Sequence, residues 1–265
     1  MQIPYFQVDA FTSRQFSGNP AGVCLLQDWL PHNLLQQIAM ENNLSETAFL
    51  VALAHGWDLR WFTPATEVDL CGHATLAAAF VIYSFLGYAG SEVRFQSRSG
   101  PLSVGRESDL LLLDFPRRPG AATSTPEILL LGLGQRPQEV YKARDYMAVF
   151  STEDEVAGLQ PDMLQLAKVD ALGVIATAPG KKCDFISRFF APRAGVPEDP
   201  VTGSAHCTLI PYWSKRLGKP KLHGLQISKR GGELFCEDRG ERVLIGGQAV
   251  LHQRGEIEVS QLKQF

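Results

Sequence analysis

Basic clusters are missing from this 265-residue chain: no run of Lys or Arg exceeds a pair, and the formal net charge is −3. Without a basic patch there is no electrostatic footprint for a phosphate backbone, so nucleic acid is not an expected partner. Long hydrophobic runs are missing too. The longest, Leu76 to Phe85, contains Tyr83 and Ser84 and is far too short to cross a bilayer, so no membrane is expected either. Met1-Gln2-Ile3-Pro4 lacks the basic and apolar regions of a signal peptide. The five cysteines have no regular spacing and do not suggest a disulfide framework. Both features fit a cytoplasmic protein. No two His or Cys residues stand at a ligand spacing that recurs, so no metal site is expected. Gly18 to Gly22 lacks the Lys-Ser/Thr partner of a phosphate loop, and Ser204 lacks the flanking glycines of a hydrolase elbow.

What remains is an ordinary globular composition, 45% hydrophobic and 20% charged, with enough length for two domains. Its organising stretch is Glu67-Val68-Asp69-Leu70-Cys71-Gly72-His73-Ala74-Thr75-Leu76. Alternation over Glu67 to Leu70 predicts a strand, and Gly72 permits a sharp turn. From His73 to Leu86 the chain is Ala/Leu-rich and apolar on nearly every face, the mark of a buried helix. The free N–H groups of its first turn make a seat for an anion.

The chain repeats this plan. Gly72 and Gly87 are fifteen residues apart, as are Gly203 and Gly218. Trp61-Phe62-Thr63-Pro64 is echoed by Phe189-Phe190-Ala191-Pro192. Phe95-x-x-Arg98-x-Gly100-x-Leu102 is echoed by Ile227-x-x-Arg230-x-Gly232-x-Leu234. Three matches in the same order imply an internal duplication, two halves each built round one central helix. The expected first domain is 1–116 with central helix 73–86, and a final strand near 256–265 is a candidate to join it. Residues 117–125 read as a Pro/Gly-rich linker, and 126–255 as a second domain with central helix 203–217.

Elsewhere, strands are expected near residues 6–10, 23–26, 44–51, 59–62, 93–95, 102–104 and 110–115. A helix is expected over 31–42, with Pro31 in its first turn and Leu34, Leu35, Ile38 and Ala39 on one apolar face. In the second half, 126–131 and 161–167 predict short helices, and 146–150, 173–177 and 185–190 predict strands. Pro211 should kink the second central helix or cost it a hydrogen bond. Short strands near 225–227, 233–237, 242–245, 248–251 and 256–259 finish the chain. With strands many and helices few, the fold class is α+β with two mostly antiparallel sheets.

Several residues could carry chemistry. Glu46 is a carboxylate in an apolar strand, where burial would raise its pKa towards neutrality and suit it to shuttle a proton. Asn43-x-x-Glu46 also reads as a capping box. His73 at a helix start is either biased towards neutral imidazole or an ordinary first-turn residue. Asp199 precedes Pro200 and the second helix, as a functional acid or as a dipole-complementing one, and Thr202 suits an N-cap. Cys71 sits where a helix N-terminus lowers a thiol pKa, whereas Cys207 lies one turn inside its helix and reads as core.

Taken together, the motifs resemble the phenazine-biosynthesis PhzF family. They are Val8-Asp9-Ala10-Phe11, Phe16-x-Gly18-Asn19-Pro20-Ala21-Gly22-Val23, Asn43-Leu44-Ser45-Glu46-Thr47-Ala48-Phe49, Phe62-Thr63-Pro64, the Glu67–Thr75 stretch, and Glu198-Asp199-Pro200-Val201-Thr202-Gly203-Ser204-Ala205-His206. The resemblance implies a diaminopimelate-epimerase-like fold: two pseudo-symmetric domains, each a curved, barrel-like sheet round a central helix. It also implies a site in the cleft between them and a homodimer. The family's catalytic glutamate, histidine and aspartate fall on Glu46, His73 and Asp199. Asn19, Gly72, Thr202, Gly203 and Ser204 are the expected substrate-binding positions. The implied reaction is a cofactor-independent isomerisation that moves a proton on a small carboxylate-bearing molecule. Two rivals stand beside it. One is an amino-acid epimerase or racemase using Cys71, although Pro200, Val201 and Thr202 occupy the segment where a second thiol belongs. The other is a non-catalytic binding or scaffold protein.

Overall fold

A computed structural model describes residues 1–259. The described chain divides into two compact units: Met1–Leu113 together with residues 247–259, and Asp114–Gly246. Two of the expected boundaries move. Residues 117–125 belong to the second unit and are not a spacer, and 247–255 belong to the first unit, not the second.

In the first unit the elements run β1 (Gln2–Ala10), β2 (Asn19–Leu26), α1 (His32–Asn42), β3 (Glu46–Leu53), β4 (Gly56–Phe62), β5 (Glu67–Val68), α2 (Gly72–Phe85), β6 (Glu92–Ser97), β7 (Gly100–Glu107) and β8 (Leu110–Pro116). β1 and β2 pair antiparallel, β2 and β3 parallel, and β3 and β4 antiparallel. β4 and β6 then pair parallel, while β6–β7 and β7–β8 are antiparallel. This sheet curls round α2, which touches β1, β2, β3 and β7. Eleven α2 residues are buried, His73 and Thr75 among them. Alanine at 74, 77, 78 and 79 explains the fit, because a helix so thin on those faces lets strand backbones close in from several directions. On the outer face, α1 buries Leu34, Leu35, Ile38 and Ala39 against Tyr5, Cys24, Phe49 and Phe62. Each such large apolar side chain contributes roughly 1.5–3 kcal/mol on burial.

The second unit runs β9 (Ala121–Ala122), α3 (Glu127–Leu133), β10 (Glu139–Lys142), β11 (Tyr146–Val149), α4 (Glu153–Ala157), α5 (Met163–Leu166), β12 (Val174–Pro179), β13 (Phe185–Phe190), α6 (Gly203–Leu217), β14 (Lys221–Gln226), β15 (Gly232–Asp238) and β16 (Arg242–Gly247). Its pairings from β10 to β16 are antiparallel, parallel, antiparallel, parallel, antiparallel, antiparallel. That is the first unit's sequence of pairings strand for strand, with α6 following β13 as α2 follows β4. Phe62 and Phe190 end equivalent strands, and Gly100 and Gly232 begin equivalent ones. The duplication is therefore real at the level of topology.

The chain ends in β17 (Ala249–Glu258), which pairs antiparallel with β1, as β9 does with β10. Two short strands were expected here. One long strand forms, because a register shift between Gln7 and Val8 absorbs the irregularity that reads as a break in sequence. The expected final strand thus joins the first unit as far as Glu258; residues 260–265 of that expectation lie outside the described residues.

Local chemistry decides other departures. Asn43 is not an N-cap: it takes the left-handed conformation (φ 48°) and closes α1 by donating its N–H to the Ala39 carbonyl at 3.2 Å. Glu46 therefore opens a strand, which removes the capping-box reading. β5 is only two residues long, shorter than the alternation over Glu67 to Leu70 suggests. α6 runs on through Pro211. The Cys207 carbonyl, which loses its helical donor to that proline, accepts instead from the Arg118 N–H at 2.9 Å. Trp213 of α6 stacks on Phe185, with ring centroids 5.9 Å apart, and donates to Thr177 Oγ1 at 3.0 Å. Among the described residues no helix is long and apolar enough to cross a membrane.

Candidate active site

Three turns of the first unit converge beside the start of α2. Gly18, at φ +64°, makes the turn that delivers Asn19 to β2, and a Cβ there would collide with the Ala10 carbonyl. Buried Asp9 steadies the same turn by accepting from the Phe16 N–H at 2.9 Å. Parallel pairing of β2 with β3 sets Glu46 opposite Ala21. The loop before α2 is pinned by Glu67, whose buried carboxylate takes Arg60 in two bonds of 2.7 and 2.9 Å and Arg98 in another of 2.9 Å.

At the centre is His73, 5% exposed. Its Nε2 stands 3.1 Å from Glu46 Oε2, and its Nδ1 3.2 Å from Asn19 Nδ2 and 3.5 Å from Cys71 Sγ. In the neutral ring an Asn19 N–H donates to Nδ1 and the proton sits on Nε2, facing Glu46; the protonated ring donates from both nitrogens, and the Asn19 amide then presents its oxygen to Nδ1. Burial alone would lower the His73 pKa. The Cys71 sulfur and the Glu46 carboxylate, acting by charge and by hydrogen bonds, instead raise it well above the ordinary histidine value. The bias towards neutral imidazole expected from the helix start is thus overturned. The expected low thiol pKa at Cys71 is overturned too: desolvation, and then the negative charge of Glu46, push it up to about 11. A buried sulfur beside a carboxylate loses more solvation than a helix end restores.

The second unit assembles its own cluster before α6. Thr202 stands at the N-cap position, yet its side chain does not cap the helix. Its hydroxyl donates to Asp199 Oδ2 at 2.5 Å instead. Gln226, 1% exposed, locks this segment: its Oε1 accepts from the Thr202 N–H at 2.9 Å, and its Nε2 donates to the Asp199 carbonyl at 2.8 Å. Gly203 and Ser204 follow as the first helical residues. The α2 start is likewise left without a side-chain cap by its N-cap residue, Cys71.

Of the expected residues, the structure thus groups Asn19, Glu46, Gly72 and His73 in the first unit, and Asp199, Thr202, Gly203 and Ser204 in the second. Cys207 is buried as expected of core, with its thiol pushed up to about 12 by desolvation. Sequence reasoning missed Gln226, whose only signal is a polar residue between the apolar Leu225 and Ile227.

The family description for phenazine biosynthesis-like proteins matches residues 8–255. The chain belongs to the PhzF family. An uncharacterized isomerase of Pseudomonas aeruginosa is 53% identical over 262 residues, covering 98% of this chain and all of the relative. A PhzF-family crystal structure from Enterococcus faecalis shares 46% identity and a TM-score of 0.96, covering 98% of this chain and all of that one. A hydroxyproline epimerase from Agrobacterium vitis, only 10% identical, shares the fold with a TM-score of 0.62, covering 97% of this chain and 92% of its own. The fold is therefore the epimerase-like one expected of a PhzF protein, and the reaction class is isomerisation.

Proposed function

We propose that this PhzF protein is a cofactor-independent isomerase that moves a proton between two carbons of a small carboxylate-bearing substrate. Glu46 is the general acid/base. As a carboxylate it takes the C–H proton, the electron pair delocalises towards the acceptor carbon, and the protonated acid returns the proton there. The observation that carries this reading is the 3.1 Å pair of Glu46 with His73. The Nε2–H of His73 donates towards the Glu46 carboxylate and fixes its position. The helix starts at Gly72 and Gly203, neither capped by its N-cap side chain, suit the substrate carboxylate and the charge that develops beside it. Asp199, hydrogen-bonded by Thr202, orients the substrate with Asn19 and Ser204. The proposal includes a cytoplasmic homodimer.

The epimerase reading has one observation in its favour, the thiol of Cys71 beside His73. The equivalent N-cap of α6 is Thr202, whose hydroxyl is a far weaker acid than a thiol, so a two-thiol mechanism lacks its second partner.

The test is proton exchange. Small carboxylates that raise the melting temperature by binding the folded state are incubated with enzyme in D2O. Deuterium should enter carbon, and Glu46→Gln should slow this by about 10²–10⁴-fold. Exchange lost in Cys71→Ala but kept in Glu46→Gln would install the thiol mechanism. Stabilising ligands that never exchange would make the protein a binding module.

A further inference from the structure

The loop spacings of this sequence gave no reason to expect a metal, but the fold brings three unlike donors together. Cys71 Sγ, a ring nitrogen of His73 and a carboxylate oxygen of Glu46 all lie within 4.8 Å of one another. We propose that these residues form a site for a thiophilic divalent cation, with Zn²⁺ the best match, which competes with the small-molecule substrate.

The distances favour this. With Zn–S near 2.3 Å and Zn–N near 2.0–2.1 Å, tetrahedral geometry puts sulfur and nitrogen about 3.6 Å apart. Cys71 Sγ and His73 Nδ1 stand 3.5 Å apart already. Glu46 faces the other ring nitrogen, its Oε2 3.1 Å from Nε2, and reaches the third position by swinging its carboxylate round from the partly exposed side, where its side chain keeps 19% of its accessible surface and offers an entry path. The fourth position is left for water or an incoming carboxylate. Thiolate, imidazole and carboxylate together select Zn²⁺ or Co²⁺ over the hard cations Mg²⁺ and Ca²⁺, which take oxygen. Binding balances simply: the Cys71 S–H proton and the proton on His73 Nδ1 are released to solvent as the metal–sulfur and metal–nitrogen bonds form, with no change of oxidation state. The competitive consequence rests on the function proposed above, because an ion holding Glu46 and His73 leaves neither for proton transfer. The binding itself does not rest on it.

Co²⁺ is the probe. Titrated into the reduced, full-length protein, it should give a thiolate-to-cobalt charge-transfer band in the near ultraviolet and tetrahedral bands in the visible, at one ion per chain. Zn²⁺ should bleach both. Cys71→Ser should abolish the charge-transfer band, Glu46→Gln should keep it but weaken binding at least tenfold, and Cys183→Ser should change nothing. No band in the wild type, or a band that survives Cys71→Ser, overturns the site. If Cys71→Ser does not fold, His73→Gln serves instead, and an unshifted band with unchanged affinity there overturns it equally. A wild-type band in a protein that exchanges no carboxylate would sink the isomerase reading and leave the ion site standing. Exchange without a band would do the reverse.

Discussion

Gln226 holds Thr202 by both backbone and side chain: its Oε1 accepts from the Thr202 N–H at 2.9 Å, and its Nε2 lies 3.2 Å from Thr202 Oγ1. The same amide nitrogen donates to the Asp199 carbonyl at 2.8 Å. One side chain from β14 therefore sets the segment that leads into α6. Gln226→Leu would strand a buried N–H and a buried carbonyl, a loss of about 1–3 kcal/mol for each unsatisfied group. Gln226→Glu keeps the acceptor, loses the donor and puts a second carboxylate beside Asp199. Both should unfold earlier in urea, and Gln226→Glu should recover towards the wild type at low pH while Gln226→Leu should not.

Glu67 should make stability depend on acid. Hydrogen bonding to Arg60 in the first place, with the charges of Arg60, Arg98 and His32, outweighs desolvation and lowers its pKa. A lowered carboxylate pKa stabilises the fold fully above the unfolded-state value, and the contribution fades as pH falls through the folded-state value. Glu67→Gln should cost about 1.5–3 kcal/mol at neutral pH. Its melting temperature should fall less steeply than that of the wild type below pH 5.

His206 should contribute in a different acid window. It is fully buried, its Nδ1–H donates to the Thr202 carbonyl at 2.8 Å, and its Nε2 has no hydrogen-bond partner. Desolvation lowers its pKa to about 4. The unfolded chain takes up the proton first, near pH 6.5, so the folded state loses stability as pH falls from there towards 4. At 1.36 kcal/mol per unit the loss is on the order of 3 kcal/mol. Urea unfolding of wild type and His206→Gln at pH 7.5 and pH 5 checks this: the difference between the two proteins should shrink at the lower pH.

Gly18→Ala should damage the site from outside it. A Cβ at φ +64° would press on the Ala10 carbonyl and on Thr12. The residue should cost about 1 kcal/mol or more from conformation alone. The turn must then move, taking Asn19 away from His73. The signature is an upfield or downfield shift of the His73 ring resonances in an NMR spectrum whose other histidines are unmoved.

The family, the duplication and most elements were legible in sequence because each depends on neighbours along the chain. The all-round apolar run after Gly72, the glycines fifteen residues apart and the face of Leu34, Leu35 and Ile38 are local patterns of period and spacing. The expected cap at Asn43 failed because a local motif has two readings, and strand pairing with β2 chose the one that opens β3 at Glu46. Protonation was the least legible property. His73 and Cys71 sit at a helix start, which by itself lowers both pKa values; desolvation and then Glu46, arriving from another strand, reverse the effect at Cys71, and Cys71 together with Glu46 reverses it at His73. Sequence by itself thus determined most of the segments that form helices and strands, though not the strand Glu139–Lys142 or the helix Glu153–Ala157, that the plan is repeated, and which side chains are chemically able to move a proton. Tertiary structure alone decided that Glu46 comes within 4.8 Å of Cys71 and His73 and that Gln226 holds Thr202, because hydrogen bonds and charges act across a few ångströms of space and not along the chain.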